Sequence, residues 1–265
     1  MLREMGLRVW APPPAAAPPS MPSVAPQAAP PAAVHDAVRP VAAPAAAAPD
    51  VAPADARVGD PTQLDERARR IATLDWPGLR EAVAGCQACK LCETRKQTVF
   101  GVGHERAPWM VVGEAPGEQE DLHGEPFVGA AGQLLDSMLR ALGLTRATDG
   151  PQPDAQRVYI ANTLKCRPPR NRNPEAEELR RCEPFLIRQI ALVQPRLILA
   201  MGRFAVQALL RSSEPVGRLR GKVHRYQGVP LVVTYHPAYL LRNLPDKARA
   251  WDDLCLAADV AESGP

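Results

Sequence analysis

Trp109-Met-Val-Val-Gly113 is an apolar run typical of a buried strand, and three similar runs follow it along the chain. Each run is almost continuously apolar and ends in residues that suit a turn, which indicates parallel strands covered on both faces. The other three runs are Val158-Tyr-Ile-Ala-Asn162, Arg196-Leu-Ile-Leu-Ala-Met-Gly202 and Pro230-Leu-Val-Val-Thr-Tyr-His236.

Helical spacing of apolar residues surrounds these runs. The segments that show it are 62–84, interrupted at Trp76-Pro77, and 131–142, 174–193, 203–210 and 246–258. Strands that alternate with helices predict a three-layer α/β/α domain around a mainly parallel four-stranded sheet. Ligands bind beyond the carboxyl ends of such strands, so chemistry is expected after Gly113, Asn162, Gly202 and His236.

The first sixty residues differ in composition from the rest. They hold thirteen of the thirty prolines together with runs of alanine, and few of their residues could bury an apolar face. We therefore predict a disordered arm over residues 1–60 and one globular domain over residues 61–265.

The net charge and the apolar runs limit which compartment and which partners are expected. The net charge of +3 is compatible with an anionic partner without proving one. No stretch is apolar enough to span a membrane, and Met1 to Trp10 lacks the apolar core of a secretory signal. We expect a monomer in the bacterial cytoplasm, where the six cysteines are metal ligands or free thiols.

The cysteines suggest a metal centre. Cys86 and Cys89 form one pair, Cys166 and Cys182 another, and four thiolates suit either zinc or a [4Fe-4S] cluster. Cys92 extends a ferredoxin-like spacing and could replace one ligand, although four are already supplied. Cys255 is interpreted as a free thiol in the final helix.

Two strand ends carry unusual sequence. Gly113-Glu-Ala-Pro-Gly-Glu-Gln-Glu-Asp121 forms a tight turn whose amides could hold a developing negative charge, or it is an acidic surface loop. His236-Pro-Ala-Tyr-Leu-Leu-Arg242 places a hydrogen-bond donor at the last strand end, unless that histidine is structural. Leu240 and Leu241 are expected to be exposed wedges for a duplex, with Arg242 on a phosphate.

These motifs together resemble one family, the family 4 uracil-DNA glycosylases, from about Leu79 to the final helix. The resemblance is carried by Cys86-x2-Cys89, Val99-Phe-Gly-Val-Gly103, Gly113 to Asp121, Pro126-Phe-Val-Gly129, Tyr159-Ile-Ala-Asn-Thr-Leu-Lys-Cys-Arg-Pro-Pro169 and His236 to Arg242. It implies the α/β/α glycosylase fold, excision of uracil from DNA in base excision repair, and a structural [4Fe-4S] cluster on Cys86, Cys89, Cys166 and Cys182.

The resemblance also implies roles in the site. Phe127 would stack on the flipped uracil, Asn162 would bind its polar edge, and Glu120 or its neighbours would exclude thymine. His236 and amides near Glu114 would stabilise the uracil anion. A related family carries an Asp where this chain has Ala115, so Glu114 is the nearest candidate to orient water.

Rival interpretations remain. The chain could accept other deaminated bases, could bind DNA without catalysis, or could resemble relatives that trap DNA through a histidine in an added basic loop, a question that His224 keeps open. Residues 2–10 resemble the N-terminal peptide of the clamp-loader psi subunit, which binds the chi subunit. They predict a replication partner, or a tail without one.

Overall fold

The computed structural model describes residues 61–263; the predicted arm lies outside this range. Within it, α1 and α2 are separated by a break at residues 73–75, where the Asp75 side chain accepts a hydrogen bond from the Gly78 amide (3.0 Å). The helices are α1 (Pro61–Ala72), α2 (Trp76–Ala84), α3 (Glu118–His123), α4 (Ala130–Ala141), α5 (Ala176–Val193), α6 (Arg203–Leu210), α7 (Val216–Leu219), α8 (Pro237–Leu240) and α9 (Asp246–Ser263).

The described residues form one six-stranded sheet in the order β1-β3-β2-β4-β6-β5. The strands are β1 (Val102–Gly103), β2 (Trp109–Gly113), β3 (Val158–Asn162), β4 (Leu197–Met201), β5 (Val223–Tyr226) and β6 (Val229–Thr234). The four central strands are parallel, as predicted, and β1 and β5 pair antiparallel at the two edges. The predicted count of four strands was therefore wrong, because it left out these two edge strands.

Both faces of the sheet are covered, and this gives the three predicted layers. Met110 and Val112 of β2 point into one core with residues of α5 and α6. Trp109 and Val111 point into the opposite core with residues of α4 and α9. Burial on both sides explains why β2 is continuously apolar.

A third apolar cluster lies beside the sheet, where α1 and α2 meet α5. It contains Leu79, Leu91, Leu164 and Phe185 together with four of the cysteines. In the range that the structure covers, no helix is both long and apolar enough to cross a membrane.

Candidate active site

The carboxyl ends of β2, β3, β4 and β6 open onto a cavity of about 910 Å³. Parallel pairing sets Gly113 opposite Asn162, so the first two strand ends meet at one point. The predicted site residues that line the cavity are Glu114, Ala115, Glu120, Phe127, Asn162, His236 and Arg242.

Phe127 is fixed against His236. Their ring centroids are 5.4 Å apart with 29° between the planes. Phe127 has a left-handed backbone (φ 57°), which a bulky residue adopts only when its surroundings require it. Two glycines make the required space, because a Cβ at Gly132 would collide with the Phe127 carbonyl and one at Gly113 would lie 2.6 Å from Phe127 Cζ.

Asn162 lines this cavity and has an unpaired amide oxygen. The residue is 2% exposed, and its Oδ1 has no hydrogen-bond partner among the described residues. Its backbone is held from behind, where the buried Lys165 Nζ donates to Asn162 O (2.8 Å) and to Gln189 Oε1 (2.6 Å). A buried amide oxygen without a partner is costly, so this position is suited to a ligand that donates a hydrogen bond.

His236 is a neutral donor at its Nε2 atom. Its Nδ1 accepts a hydrogen bond from the Ala238 amide (3.2 Å), which places the hydrogen of the neutral ring on Nε2. Burial lowers the pKa of His236 to about 4; Glu120 acts to raise it and Arg242 to lower it. The ring is therefore uncharged at neutral pH.

Glu120 holds the acidic turn in shape. Its carboxylate accepts hydrogen bonds from the amides of Gly117, Val128 and Gly129, each at 3.0 Å. This ties the turn to the segment that carries Phe127. Fewer turn amides are therefore free to hold a negative charge than the sequence predicted, because the Gly117 amide donates to Glu120 and Pro116 has no N–H.

Glu114 lies half-buried at the start of the same turn. Burial raises the pKa of its carboxyl, and the positive charge of Arg203 opposes that rise. The Glu114 carbonyl accepts hydrogen bonds from the Leu164 amide (3.0 Å) and the Thr163 hydroxyl, so the backbone here is fixed to the end of β3.

The predicted pair of exposed leucines is wrong for Leu240. Leu240 is 1% exposed, because the single turn of α8 directs it into the protein. Leu241 is 41% exposed and Leu244 61% exposed, on either side of the exposed Arg242. The apolar projection beside the cavity therefore consists of Leu241 and Leu244.

Comparison with known proteins decides the family. A profile of the uracil DNA glycosylase superfamily matches residues 100–255. A type-4 uracil-DNA glycosylase of Pyrobaculum aerophilum is 42% identical over 193 residues, which cover 69% of this chain and 93% of that protein. The chain belongs to the type-4 uracil-DNA glycosylase family. Another relative of that name, from Thermotoga maritima, is 39% identical over 64% of this chain and 84% of its own length. A type-5 uracil-DNA glycosylase of Pyrobaculum aerophilum is 33% identical over 53% of this chain and 69% of its own.

Four cysteines of this type-4 glycosylase gather in the third apolar cluster: Cys86, Cys89, Cys166 and Cys182. Cationic and amide groups face their sulfurs. Arg95 Nη1 lies 3.0 Å from Cys166 Sγ, Arg67 Nη2 lies 3.6 Å from Cys86 Sγ, and the Lys165 amide lies 3.3 Å from Cys182 Sγ.

The surroundings of these thiols suit a metal centre. Burial raises the pKa of Cys166 to about 11 and that of Cys182 to about 12, so a bound cation is what would ionise them. Nearby N–H donors favour sulfurs that carry charge in a cluster. Over residues 61–263, no group of three or more Cys, His, Asp or Glu side chains is arranged to hold a single metal ion. Cys92 and Cys255 are not among the members of this apolar cluster. Cys92 is nevertheless close to Cys89, because its charge acts to raise the pKa of Cys89.

Sequence reasoning missed part of the cavity wall. Arg203, Tyr235 and Tyr239 line it, and each is next to or near a strand end already named as a site position. By contrast, His224 does not line this cavity. It lies on β5, where its Nε2 is 2.7 Å from the Leu219 carbonyl.

Proposed function

We propose that this chain excises uracil from DNA by hydrolysing the N-glycosidic bond and leaving an abasic site. The observation that carries the proposal is the unpaired Oδ1 of the buried Asn162, beside the stacked rings of Phe127 and His236. An extruded nucleotide brings a planar, polar base into such a pocket.

Asn162 distinguishes uracil from cytosine by hydrogen bonding. Its Oδ1 accepts from uracil N3–H, and its Nδ2 donates to uracil O4. Cytosine has no hydrogen at N3 and presents an amino group at position 4, so both contacts would fail. A site that leaves buried polar groups unpaired rejects the wrong ligand strongly. Phe127 supplies the stacking face, and Glu120 together with its turn limits the space at uracil C5.

His236 stabilises the leaving group electrostatically. As the bond between the sugar and uracil N1 breaks, the electron pair stays on uracil and its O2 gains negative charge. A neutral Nε2–H directed at that oxygen in a site shielded from bulk solvent stabilises the charge without giving up its proton. Water then attacks the sugar carbon, and Glu114 is the carboxylate that orients this water and receives its proton.

The exposed loop after α8 contacts the DNA. Leu241, assisted by Leu244, fills the gap that the extruded nucleotide leaves, and Arg242 pairs with a neighbouring phosphate. Uracil-containing DNA is thus the partner of this face.

We further propose a [4Fe-4S] cluster on Cys86, Cys89, Cys166 and Cys182, with zinc as the alternative. When bound, it joins the segment after α2 to β3 and α5 and acts structurally. The apolar packing and the N–H donors around the four sulfurs support this assignment.

One excision assay tests the proposed activity. Purified protein is given oligonucleotides that contain uracil, G:T, G:hypoxanthine or normal pairs, and abasic sites are scored. We expect cleavage at uracil and a loss of at least 100-fold in Asn162→Ala and His236→Ala. Cleavage at uracil by both variants at the wild-type rate would refute the assigned roles.

The other outcomes separate the rival functions. Cleavage at hypoxanthine as well would favour a broader deaminated-base specificity. Binding to the oligonucleotides without any cleavage would favour a non-catalytic DNA-binding protein.

A further inference from the structure

Two tyrosines form part of the cavity wall that the excision step does not use. The rings of Tyr235 and Tyr239 are stacked, with centroids 5.0 Å apart and 21° between the planes. Both residues are half-buried and line the same cavity as His236. Their position next to the catalytic histidine is fixed by chain connectivity, because His236 lies between them in sequence.

Contacts with neighbouring charged groups hold both rings of this pair. Tyr239 donates to Asp246 Oδ2 (2.6 Å), and Asp246 Oδ1 in turn accepts from Arg249 Nη1 (3.0 Å). The guanidinium of Arg220 lies 5.9 Å from the centre of the Tyr235 ring, which places a cation next to the stack. These contacts anchor the rings to α9 and to the segment after α7, so the rings meet the cavity as a rigid aromatic surface.

The cavity has room for more than one base. At about 910 Å³ it is at the upper end of the size of sites that enclose a drug-sized molecule, whereas uracil is a single ring. Phe127, Asn162 and His236 account for that ring. The lining continues through Tyr235 and Tyr239 to Pro215 and Gly217, where no part of the excision step is assigned.

We propose that Tyr239, supported by Tyr235, is a stacking subsite for an unpaired base next to the extruded uracil. Aromatic rings bind bases of single strands in this way with little dependence on sequence. In a duplex the neighbouring base stays paired and stacked, so the subsite serves excision from single-stranded DNA. This inference rests on the proposed glycosylase activity and assigns the substrate form that the second part of the cavity accepts.

A thermodynamic cycle in single-stranded DNA tests the subsite. The substrates are a uracil oligonucleotide and two versions in which the base 5′ or 3′ to uracil is replaced by an abasic spacer. For wild type we expect one of these removals to lower kcat/KM by about 5- to 150-fold, the range of one base–aromatic stack. In Tyr239→Ala the same removal should lower kcat/KM less than twofold, since the stacking partner is gone.

Two further variants separate stacking from folding. Tyr239→Phe keeps the ring and loses the bond to Asp246, so it should retain the wild-type sensitivity to the missing base. Tyr239→Leu keeps apolar bulk without an aromatic face and should lose most of that sensitivity. Melting temperatures identify any variant that fails to fold.

The outcomes are distinguishable. If wild type cleaves uracil but neither spacer lowers kcat/KM, or if the same spacer costs as much in Tyr239→Ala as in wild type, the stacking subsite is refuted while the glycosylase activity stands. If wild type cleaves none of the three oligonucleotides, the proposed function itself fails.

Discussion

At the scale of single residues, the protonation of His236 links the structure to pH. The Ala238 amide occupies Nδ1, and burial lowers the pKa of the ring to about 4, whereas an exposed histidine titrates near 6.5. Between these values the unfolded chain takes up a proton that the folded chain does not. His236 therefore reduces the free energy of unfolding as pH falls from about 6.5 to about 4, by on the order of 3 kcal/mol at most, and contributes no pH dependence above that window.

This linkage can be measured by urea unfolding of wild type and His236→Asn at pH 7.5 and pH 5. Wild type should lose more stability than the variant over this interval, because Asn cannot titrate. In parallel, the NMR signals of the His236 ring should stay constant from pH 5 to pH 8. A titration centred near 6.5 would contradict the neutral, buried ring.

At the scale of elements, α8 separates two adjacent leucines into different environments. Leu240→Ala should lower the free energy of unfolding by about 2–5 kcal/mol, because it removes a buried side chain. Leu241→Ala should leave stability within about 0.5 kcal/mol. It should lower excision from duplex DNA on the order of tenfold, as expected from 1–2 kcal/mol of lost apolar contact.

Each variant is the matched control of the other, since the two changes are chemically identical. Chemical denaturation and single-turnover excision from a U:G duplex give the two readouts. Equal loss of stability in both variants would show that Leu241 is also packed inside. Unchanged excision in a stable Leu241→Ala protein would remove its role as a wedge.

The strands and α8 show why part of the fold could be predicted from the sequence and part could not. The four central strands are buried on both faces, so each is a continuous apolar run that can be recognised directly. β1 has two residues, and β5 alternates exposed and half-buried positions, so neither leaves an apolar run. A four-residue helix such as α8 is too short for periodicity, which is why the direction of Leu240 was not predicted.

At the scale of the whole molecule, the site depends on contacts between distant segments. Strand ends are fixed by the sheet topology, and sequence reasoning therefore placed Asn162, Glu114 and His236 together. The packing of Phe127 on His236 joins two loops that are far apart in sequence. Such contacts follow from tertiary packing and leave no local pattern.

The N-terminal peptide carries a prediction about partners, which falls outside the described residues. Residues 2–10 resemble a peptide that binds the clamp-loader chi subunit, and a docking peptide on a long tether is expected to act independently of the domain. Full-length protein should retain chi from a bacterial extract, and Trp10→Ala should reduce that recovery at least fivefold. Equal recovery by both baits would leave residues 1–60 as a tail without this partner. For localisation, we expect the protein in the bacterial cytoplasm, where it should fractionate with the nucleoid.

The four gathered cysteines come from three separate segments of the chain. Cys86 and Cys89 follow α2, Cys166 follows β3, and Cys182 lies in α5, so a cluster bound to all four closes long loops of the chain. Cys166→Ser should abolish the brown colour and visible absorbance of an iron–sulfur protein and lower Tm by about 10 °C, as expected when a structural metal site is lost. Cys255→Ser, in the half-buried part of α9, is the control and should keep both colour and Tm. Zinc has no visible absorbance, so a colourless wild-type protein with stoichiometric zinc would show that the same residues form a zinc site. A lower iron content in Cys92→Ser would show that Cys92 is also a ligand.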